Sequence, residues 1–157
     1  MSAQKIFLIG LSGAGKSTIG RLIAENLGWS FADSDAEIEA ATARTIPDIF
    51  REEGEPAFRA RELEALEAIA GREPIVVATG GGAPTSEACR RLMDDGFTVW
   101  LWVSPARAAE RLRSDSETPE RPLLQGDVEA RLTELLAERK AIYQQSDSSI
   151  DVDSLTP

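Results

Sequence analysis

The stretch that decides the fold reads GLSGAGKS and occupies residues 10–17 of the chain. It matches the pattern G-x-x-x-x-G-K-[ST] in full. The apolar run at residues 5–9 predicts a buried strand before it, and apolar residues at helical spacing over 18–27 predict a helix after it. A glycine-rich loop in this setting turns its N–H groups toward an anionic phosphate, and the helix adds its positive end. The stretch therefore predicts a site for a nucleoside triphosphate.

Two side chains of this loop predict how the nucleotide is held. Lys16 is expected to reach the β- and γ-phosphates, and the Ser17 hydroxyl is expected to ligate Mg²⁺. The alternative is a glycine-rich turn that binds no ligand. The complete match and its two flanking elements favour the phosphate site.

The composition excludes several classes of function. The chain has 157 residues, of which 42% are hydrophobic and 28% are charged, as expected for one globular domain. A net charge of -10 opposes binding to nucleic acid. The chain has no histidine and a single cysteine, Cys89, which excludes imidazole catalysis and metal sites built from histidines or several thiolates.

Hydropathy predicts neither a membrane partner nor secretion. No apolar run approaches the roughly 20 residues that a membrane span needs, and the residues before the first strand have no signal-peptide layout. We therefore expect a cytoplasmic protein.

Strands and helices alternate along the rest of the chain. The pattern predicts strands at residues 29–32, 75–78, 97–103 and 149–152, and helices at residues 36–42, 46–53, 56–70, 86–93, 105–113 and 128–145. This alternation predicts a parallel sheet with helices on both faces. The polar stretch at residues 114–120 is either a surface loop or a functional lid.

Asp33 and Asp35 are the candidates for the acidic part of the site. A phosphate-loop enzyme usually has an acidic residue at the end of an apolar strand, but the run at 75–78 ends without one. Two carboxylates on either side of Ser34 in an extended segment would point the same way, one serving the metal and one orienting or deprotonating an acceptor hydroxyl. The alternative is a helix N-cap followed by a first-turn charge.

Further short motifs accompany these residues in a fixed order. They are GLSGAGKST at 10–18, DSD at 33–35, Phe50-x-x-x-Gly54-Glu55-x-x-Phe58-Arg59, GGG at 80–82, RPLL at 121–124 and Glu138-Arg139-x-x-x-Tyr143. Each is weak alone, but jointly they resemble the shikimate kinase family over nearly the whole chain. The resemblance implies a three-layer α/β fold of the P-loop kinase type, with a five-stranded parallel sheet of order 2-3-1-4-5. It implies one domain over residues 1–157 with a lid at about 114–127.

The resemblance also implies an activity, the transfer of the ATP γ-phosphoryl group to the 3-hydroxyl of shikimate in aromatic amino-acid biosynthesis, with one Mg²⁺. On the nucleotide side it implies that ATP contacts Gly13, Ala14, Gly15, Lys16, Ser17, Thr18, Arg113 and Arg121. Arg113 would pack against adenine, and Arg121 would come from the lid to contact the phosphates during transfer. Ser17 would bind the metal with help from Asp33.

On the acceptor side the resemblance implies that shikimate contacts Asp35, Arg59, Gly81, Gly82 and Arg139. The arginines would clamp the carboxylate, the glycines would meet ring hydroxyls through backbone groups, and Asp35 would be the candidate base. Lys16, Asp35 and Arg121 are thus the expected catalytic residues.

Local explanations compete with these roles. Arg59 has Glu55 and Glu62 at i−4 and i+3, which would also make an ordinary pair on a helix surface. Arg139 likewise sits among helix charges, and the triple glycine would also make a plain turn. Arginine forks do suit a small carboxylated polyol, however, because their bidentate geometry fixes orientation as well as charge.

In the family a final helix covers the sheet after the last strand, and we expect that helix to be missing from this chain, which ends at Thr156-Pro157. Two other functions remain open at this point. One is a related small-molecule kinase such as a gluconate kinase, and the other is a nucleotide-binding regulatory module without turnover. For the kinase we expect a monomer that binds ATP and shikimate and neither nucleic acid nor membrane.

Overall fold

A single parallel sheet lies between two layers of helices. In a computed structural model of the chain, the structure describes residues 4–114 and 127–154. Within these ranges the strands are β1 (Lys5–Ile9), β2 (Ser30–Asp33), β3 (Ile75–Ala78), β4 (Phe97–Trp102) and β5 (Ser148–Asp151). The helices there are α1 (Lys16–Leu27), α2 (Ser34–Thr42), α3 (Ile46–Glu53), α4 (Glu55–Ala70), α5 (Glu87–Met93), α6 (Pro105–Ser114) and α7 (Val128–Tyr143).

The strand order in the sheet is β2-β3-β1-β4-β5, and every neighbouring pair is parallel. This confirms the expected three-layer α/β fold and its order 2-3-1-4-5. Parallel neighbours need crossover connections, and helices supply them here. The carboxyl ends of β1, β2 and β3 therefore meet at one edge of the sheet, where the phosphate loop, Asp33 and the triple glycine follow them.

The core explains why the central strands are apolar throughout. Phe7, Leu8, Val76 and Val77 are all 0% exposed, because helices cover both faces of the sheet. A second, smaller cluster consists of Ile38, Ile46, Ile49 and Phe58 and lies among α2, α3 and α4. No helix in the described ranges combines the length and apolar character of a membrane span.

The predicted elements are confirmed, with ends that agree to within two residues. Two short 3₁₀ turns, Ala83–Thr85 and Val152–Ser154, were not predicted. The first follows the triple glycine directly, so the chain turns tightly on leaving β3. Helix α1 begins at Lys16, inside the phosphate motif, which places that lysine in the first helical turn.

One local expectation was wrong. Asp33 and Asp35 do not share an extended segment, because α2 begins at Ser34 and places Asp35 in its first turn. Oδ1 of Asp33 accepts hydrogen bonds from the N–H groups of Asp35 at 2.9 Å and Ala36 at 3.1 Å. The aspartate thus satisfies N–H groups that a helix start otherwise leaves unpaired. The cap begins α2 at Ser34, one residue before the second carboxylate.

Candidate functional site

The candidate site lies where the loops after β1 and β3 come into contact. A Cβ added at Gly81 would lie 3.3 Å from the carbonyl oxygen of Gly10 and 3.7 Å from the amide nitrogen of Ser12. The triple glycine therefore packs directly against the phosphate loop. Such an edge, at the carboxyl ends of parallel strands, is where open α/β sheets bind their ligands.

The phosphate loop holds a backbone shape that requires glycine. Gly13 and Gly15 both have φ of 87°, in the left-handed region that glycine adopts without strain. A Cβ at Gly13 would also lie 2.8 Å from the carbonyl oxygen of Ala108 in α6. The loop is thus shaped by its own backbone and packed against a neighbouring helix. Ala14, between the two glycines, is buried, and Thr18 is exposed.

Lys16 lies back over the start of the loop. Its Nζ donates hydrogen bonds to the carbonyl oxygens of Gly10 at 2.8 Å and Leu11 at 3.0 Å. The ammonium group is therefore held among the same backbone atoms that form the loop. This position keeps one positive charge beside the N–H groups that the motif offers to a phosphate.

Ser17 and Asp33 form the oxygen pair of the site. The Ser17 hydroxyl donates to Oδ2 of Asp33 at 2.5 Å, while Oδ1 of the same carboxylate caps α2. One carboxylate thus bridges the phosphate loop and the next helix. Hydroxyl and carboxylate oxygens are hard ligands of the kind that Mg²⁺ prefers. Among the described residues, no group of three or more acidic, cysteine or histidine side chains is placed to hold a metal ion.

Asp35 faces a different part of the site. A Cβ added at Gly80 would lie 3.1 Å from Oδ1 of Asp35 and 2.6 Å from Oε2 of Glu62. Gly80 therefore leaves room for two carboxylates that converge on it from α2 and α4. The helix start separates the two aspartates, so that Asp33 meets the phosphate loop and Asp35 meets the glycine turn.

Glu62 is a fully buried acid, 0% exposed. Burial raises the pKa of its carboxyl group, while the charge and hydrogen bond of Arg59 oppose that rise and the charge of Asp35 adds to it. Its Oε1 accepts a hydrogen bond from Nη1 of Arg59 at 2.9 Å. Within the described residues its Oε2 has no hydrogen-bond partner.

Arg59 makes the expected helix pairs and also reaches the glycine turn. It donates to Glu62 and, at 3.3 Å, to Glu55. Its guanidinium lies so close to Gly82 that a Cβ there would be 2.8 Å from Cζ. The helix pairing and the position in the site are therefore compatible, because the glutamates orient the arginine toward the turn.

Arg139 meets the preceding glycine. It is 7% exposed, and a Cβ added at Gly81 would lie 3.2 Å from its Nη1. Two arginines from α4 and α7 thus reach consecutive glycines. The hydroxyl of Tyr143, one turn further along α7, donates to the Gly81 carbonyl oxygen at 2.7 Å.

Helix α6 brings Arg111 to the phosphate loop, a contact that the resemblance did not assign. Nη1 of Arg111 donates to the carbonyl oxygens of Ala14 at 3.3 Å and Gly13 at 3.5 Å, whereas Arg113 is exposed. Two residues along a helix are about 200° apart, so the two side chains leave it on nearly opposite sides. Arg113 stays a prediction. Arg121 and most of the lid, residues 115–126, lie outside the described residues.

The sequence reasoning assigned no role in the site to Arg111 or Tyr143 and treated Glu62 only as a helix partner. The sequence did carry a signal for Glu62 and Tyr143, because each lies on an otherwise apolar helix face. The buried face of α4 includes Phe58, Glu62, Leu66 and Ile69, and that of α7 includes Leu132, Leu135, Arg139 and Tyr143. A charged residue on an otherwise apolar stripe is expected to be buried and paired. No comparable local signal distinguishes Arg111 from Arg113.

The parts have complementary chemistry. The phosphate loop offers N–H groups and an ammonium, the turn at Gly81 and Gly82 has two guanidinium groups beside it, and carboxylates lie at Asp33 and Asp35. This arrangement suits transfer of a phosphoryl group from a nucleotide to a small anionic acceptor that carries hydroxyl groups.

Comparisons with known proteins agree with this chemistry. A family model described as shikimate kinase matches residues 12–157. The shikimate kinase of Parasynechococcus marenigrum is 42% identical over 158 residues, covering 100% of this chain and 82% of that protein. That of Halorhodospira halophila is 50% identical over 144 residues, covering 90% and 80%. A structure of the shikimate kinase from Acinetobacter baumannii in complex with shikimate has a TM-score of 0.89 and 40% identity, covering 96% of this chain and 84% of that one.

Proposed function

The chain belongs to the shikimate kinase family and phosphorylates shikimate with ATP, and from this premise we propose which of its residues carry out the reaction. The observation that carries the proposal is the position of Arg59 and Arg139 at Gly82 and Gly81, directly beside the phosphate loop. We assign ATP to that loop and shikimate to the turn and its two arginines. The acceptor atom we assign is the 3-hydroxyl of shikimate.

The acceptor carboxylate would be bound by the two guanidinium groups. Arg59 is already oriented by Glu62 and Glu55, and Arg139 is nearly buried in α7. Guanidinium forks bind a carboxylate through two parallel hydrogen bonds and so fix the direction of the ring as well as its position. Gly81 and Gly82 would meet the ring hydroxyls with backbone groups, since side chains there would collide with the arginines.

Asp35 would accept the proton of the attacking hydroxyl or hold that hydroxyl in place. Its carboxylate lies at Gly80, in the turn that we assign to the acceptor. A base must lie within hydrogen-bond reach of the proton that it removes. Because the two aspartates are separated, we assign Asp35 to the acceptor and Asp33 to the metal.

We propose that Ser17 and Asp33 hold Mg²⁺ with the nucleotide. Their oxygens lie 2.5 Å apart at the start of α1, and Mg²⁺ in kinases usually has only one or two protein ligands besides water and phosphate oxygens. When bound, the ion would neutralise charge on the β- and γ-phosphates. Lys16 would bind the same phosphates from the other side of the loop.

The remaining assignments rest on the sequence resemblance. Arg121 would stabilise charge on the transferred group, and residues 114–127 would form the lid that carries it. Arg113 would contact adenine. We further propose that residues 1–157 form one domain that acts as a cytoplasmic monomer, since the described part of one chain already contains both the phosphate loop and the paired arginines.

The test measures ADP release by the purified chain with Mg-ATP, alone and with shikimate or gluconate. We expect release that depends on shikimate and on Mg²⁺, and none above background with gluconate. Two variants should then separate the acceptor side of the site from the phosphate loop. Arg139→Lys should raise the KM for shikimate, and Lys16→Met should abolish turnover. ATP binding without turnover would instead support a regulatory module, and turnover with gluconate would contradict the acceptor assignment.

A further inference from the structure

Tyr143 is a buried polar residue that the proposed reaction does not yet use. Its side chain is 0% exposed, and its ring packs against Trp100 with centroids 5.7 Å apart. Its hydroxyl donates to the carbonyl oxygen of Gly81 at 2.7 Å, across 62 residues of sequence. The phenol therefore joins α7 to the glycine turn after β3.

The same phenol lies beside Arg139, one turn earlier on α7. Burial raises the pKa of Tyr143, and the charge and hydrogen bond of Arg139 partly oppose that rise. A phenol whose pKa lies above its ordinary value keeps its proton at neutral pH. It therefore stays a neutral donor to the Gly81 carbonyl beside the positive charge of the guanidinium.

The bond to Gly81 has a consequence for the next residue. In a planar trans peptide the carbonyl of one residue and the N–H of the following residue point in opposite directions. Holding the Gly81 carbonyl toward Tyr143 thus turns the Gly82 N–H away from it. The Ala83 N–H donates to the Gly80 carbonyl at 3.1 Å and so closes the turn, but a turn with glycine at both central positions can hold its central peptide in either of two orientations. A contact at the Gly81 carbonyl therefore favours one of the two.

The contacts converge on the groups that we assign to the acceptor. A Cβ at Gly81 would lie 3.2 Å from Nη1 of Arg139, and one at Gly82 would lie 2.8 Å from Cζ of Arg59. A change in the tilt of the peptide between the two glycines would therefore alter the space in front of both arginines. The Tyr143 hydroxyl donates to the carbonyl oxygen of that same peptide.

We propose that Tyr143 is a positioning residue for the acceptor, whose hydroxyl sets the orientation of the Gly81–Gly82 peptide and of the Arg139 guanidinium together. It does not touch the reacting atoms. The inference rests on the assignment of Arg139 and the glycine turn to shikimate, so the experiment must test that assignment separately.

The test variant is Tyr143→Phe, which keeps the buried ring and removes only the hydroxyl. We expect the KM for shikimate to rise about three- to tenfold, as for a lost hydrogen bond, while the KM for ATP stays unchanged. The control is Thr79→Val. It removes another buried hydroxyl that donates to a backbone carbonyl, that of Leu8 at 2.9 Å, and Thr79 is 3% exposed.

The control should lose a similar amount of stability and keep both KM values. All assays are run below the melting temperature of each variant, measured by circular dichroism. An unchanged KM for shikimate in Tyr143→Phe, or an equal rise in both KM values, would overturn the proposal, as would the same rise in Thr79→Val. Arg139→Lys tests the acceptor assignment separately from the role of Tyr143. An unchanged KM for shikimate in that variant would show that the acceptor assignment itself is wrong.

Discussion

The Ser17 hydroxyl and the Asp33 carboxylate form a 2.5 Å hydrogen bond between the phosphate loop and the end of β2. The other oxygen of Asp33 caps α2 through two backbone N–H groups. The helix cap and a contact with the phosphate loop therefore coexist in one side chain, although the cap and a role in the site were alternatives at the level of sequence. Because the two oxygens of Asp33 make different contacts, a substitution can remove the charge of the side chain and keep its capping oxygen.

Replacing Asp33 with asparagine should remove the charge and keep the cap. Asparagine caps helices about as well as aspartate does, so we expect the free energy of unfolding to change by less than about 0.5 kcal/mol. We expect the Mg²⁺ concentration for half-maximal rate to rise about 10- to 100-fold. Steady-state rates over a Mg²⁺ titration measure this, with Asp33→Ala as the variant that loses both functions. An unchanged Mg²⁺ dependence would remove Asp33 from the metal side.

Replacing Asp35 with asparagine should lower kcat about 10²- to 10⁴-fold, as for the loss of a general base. ATP binding should remain, because Asp35 lies at Gly80 in the turn that we assign to the acceptor. Turnover assays and a nucleotide-binding titration measure the two effects. If ATP or Mg²⁺ binding fell instead, Asp35 would belong to the metal side.

Replacing Arg59 with lysine should weaken shikimate binding without unpairing Glu62. Lysine keeps a positive charge near that buried acid but lacks the fork that binds a carboxylate in two places, so the KM for shikimate should rise about tenfold. The comparison variant is Arg59→Ala, which leaves Glu62 without its cation and should also cost about 1–3 kcal/mol of stability. If both variants lost stability with no change in the KM for shikimate, Arg59 would only stabilise the fold through its pair with Glu62.

The stability of the chain should depend on pH through Glu62. Burial raises the pKa of this carboxyl group above its ordinary value of 4.5, so the folded state holds the proton more tightly than the unfolded state does. Its contribution to stability is present below pH 4.5 and is lost as pH rises through the higher, folded-state pKa.

Urea unfolding of the unmodified chain and of Glu62→Gln, at steps upward from pH 4.5, measures this contribution. The stability of the unmodified chain relative to the variant should fall as pH rises, because glutamine does not titrate. A difference that is constant or that grows with pH would contradict the raised pKa.

Replacing Gly81 with alanine should impair the use of both substrates. The added Cβ would lie 3.2 Å from Arg139 and 3.3 Å from the Gly10 carbonyl, so one of the two must move. A displacement of this kind is expected to lower kcat/KM by up to about 10²-fold. Gly71→Ala is the matched control, since its Cβ would meet only the Ala68 carbonyl, at an ordinary 3.6 Å. Normal kinetics in Gly81→Ala would mean that the turn and the loop are not in tight contact.

Much of the fold could be predicted because its signals are local. The phosphate motif, the apolar runs and the helical spacing each depend on residues that are neighbours in the chain, and the predicted elements agree with the structure to within two residues. The sheet order came from the joint motif match rather than from periodicity, which cannot tell which strands pair. The extended segment expected at Asp33–Asp35 was wrong for a local reason, because the capping bonds begin the helix at Ser34, two residues before its predicted start.

The sequence by itself determined the phosphate loop and the alternation of strands and helices, since backbone preference and hydrophobic periodicity act over a few residues. Only the tertiary structure decided that Glu62 faces Gly80 and that Arg111 hydrogen-bonds to the phosphate loop. It also decided that Tyr143 holds the carbonyl of Gly81, 62 residues away. Such contacts depend on how whole elements pack around the sheet, and no short stretch of sequence encodes that packing.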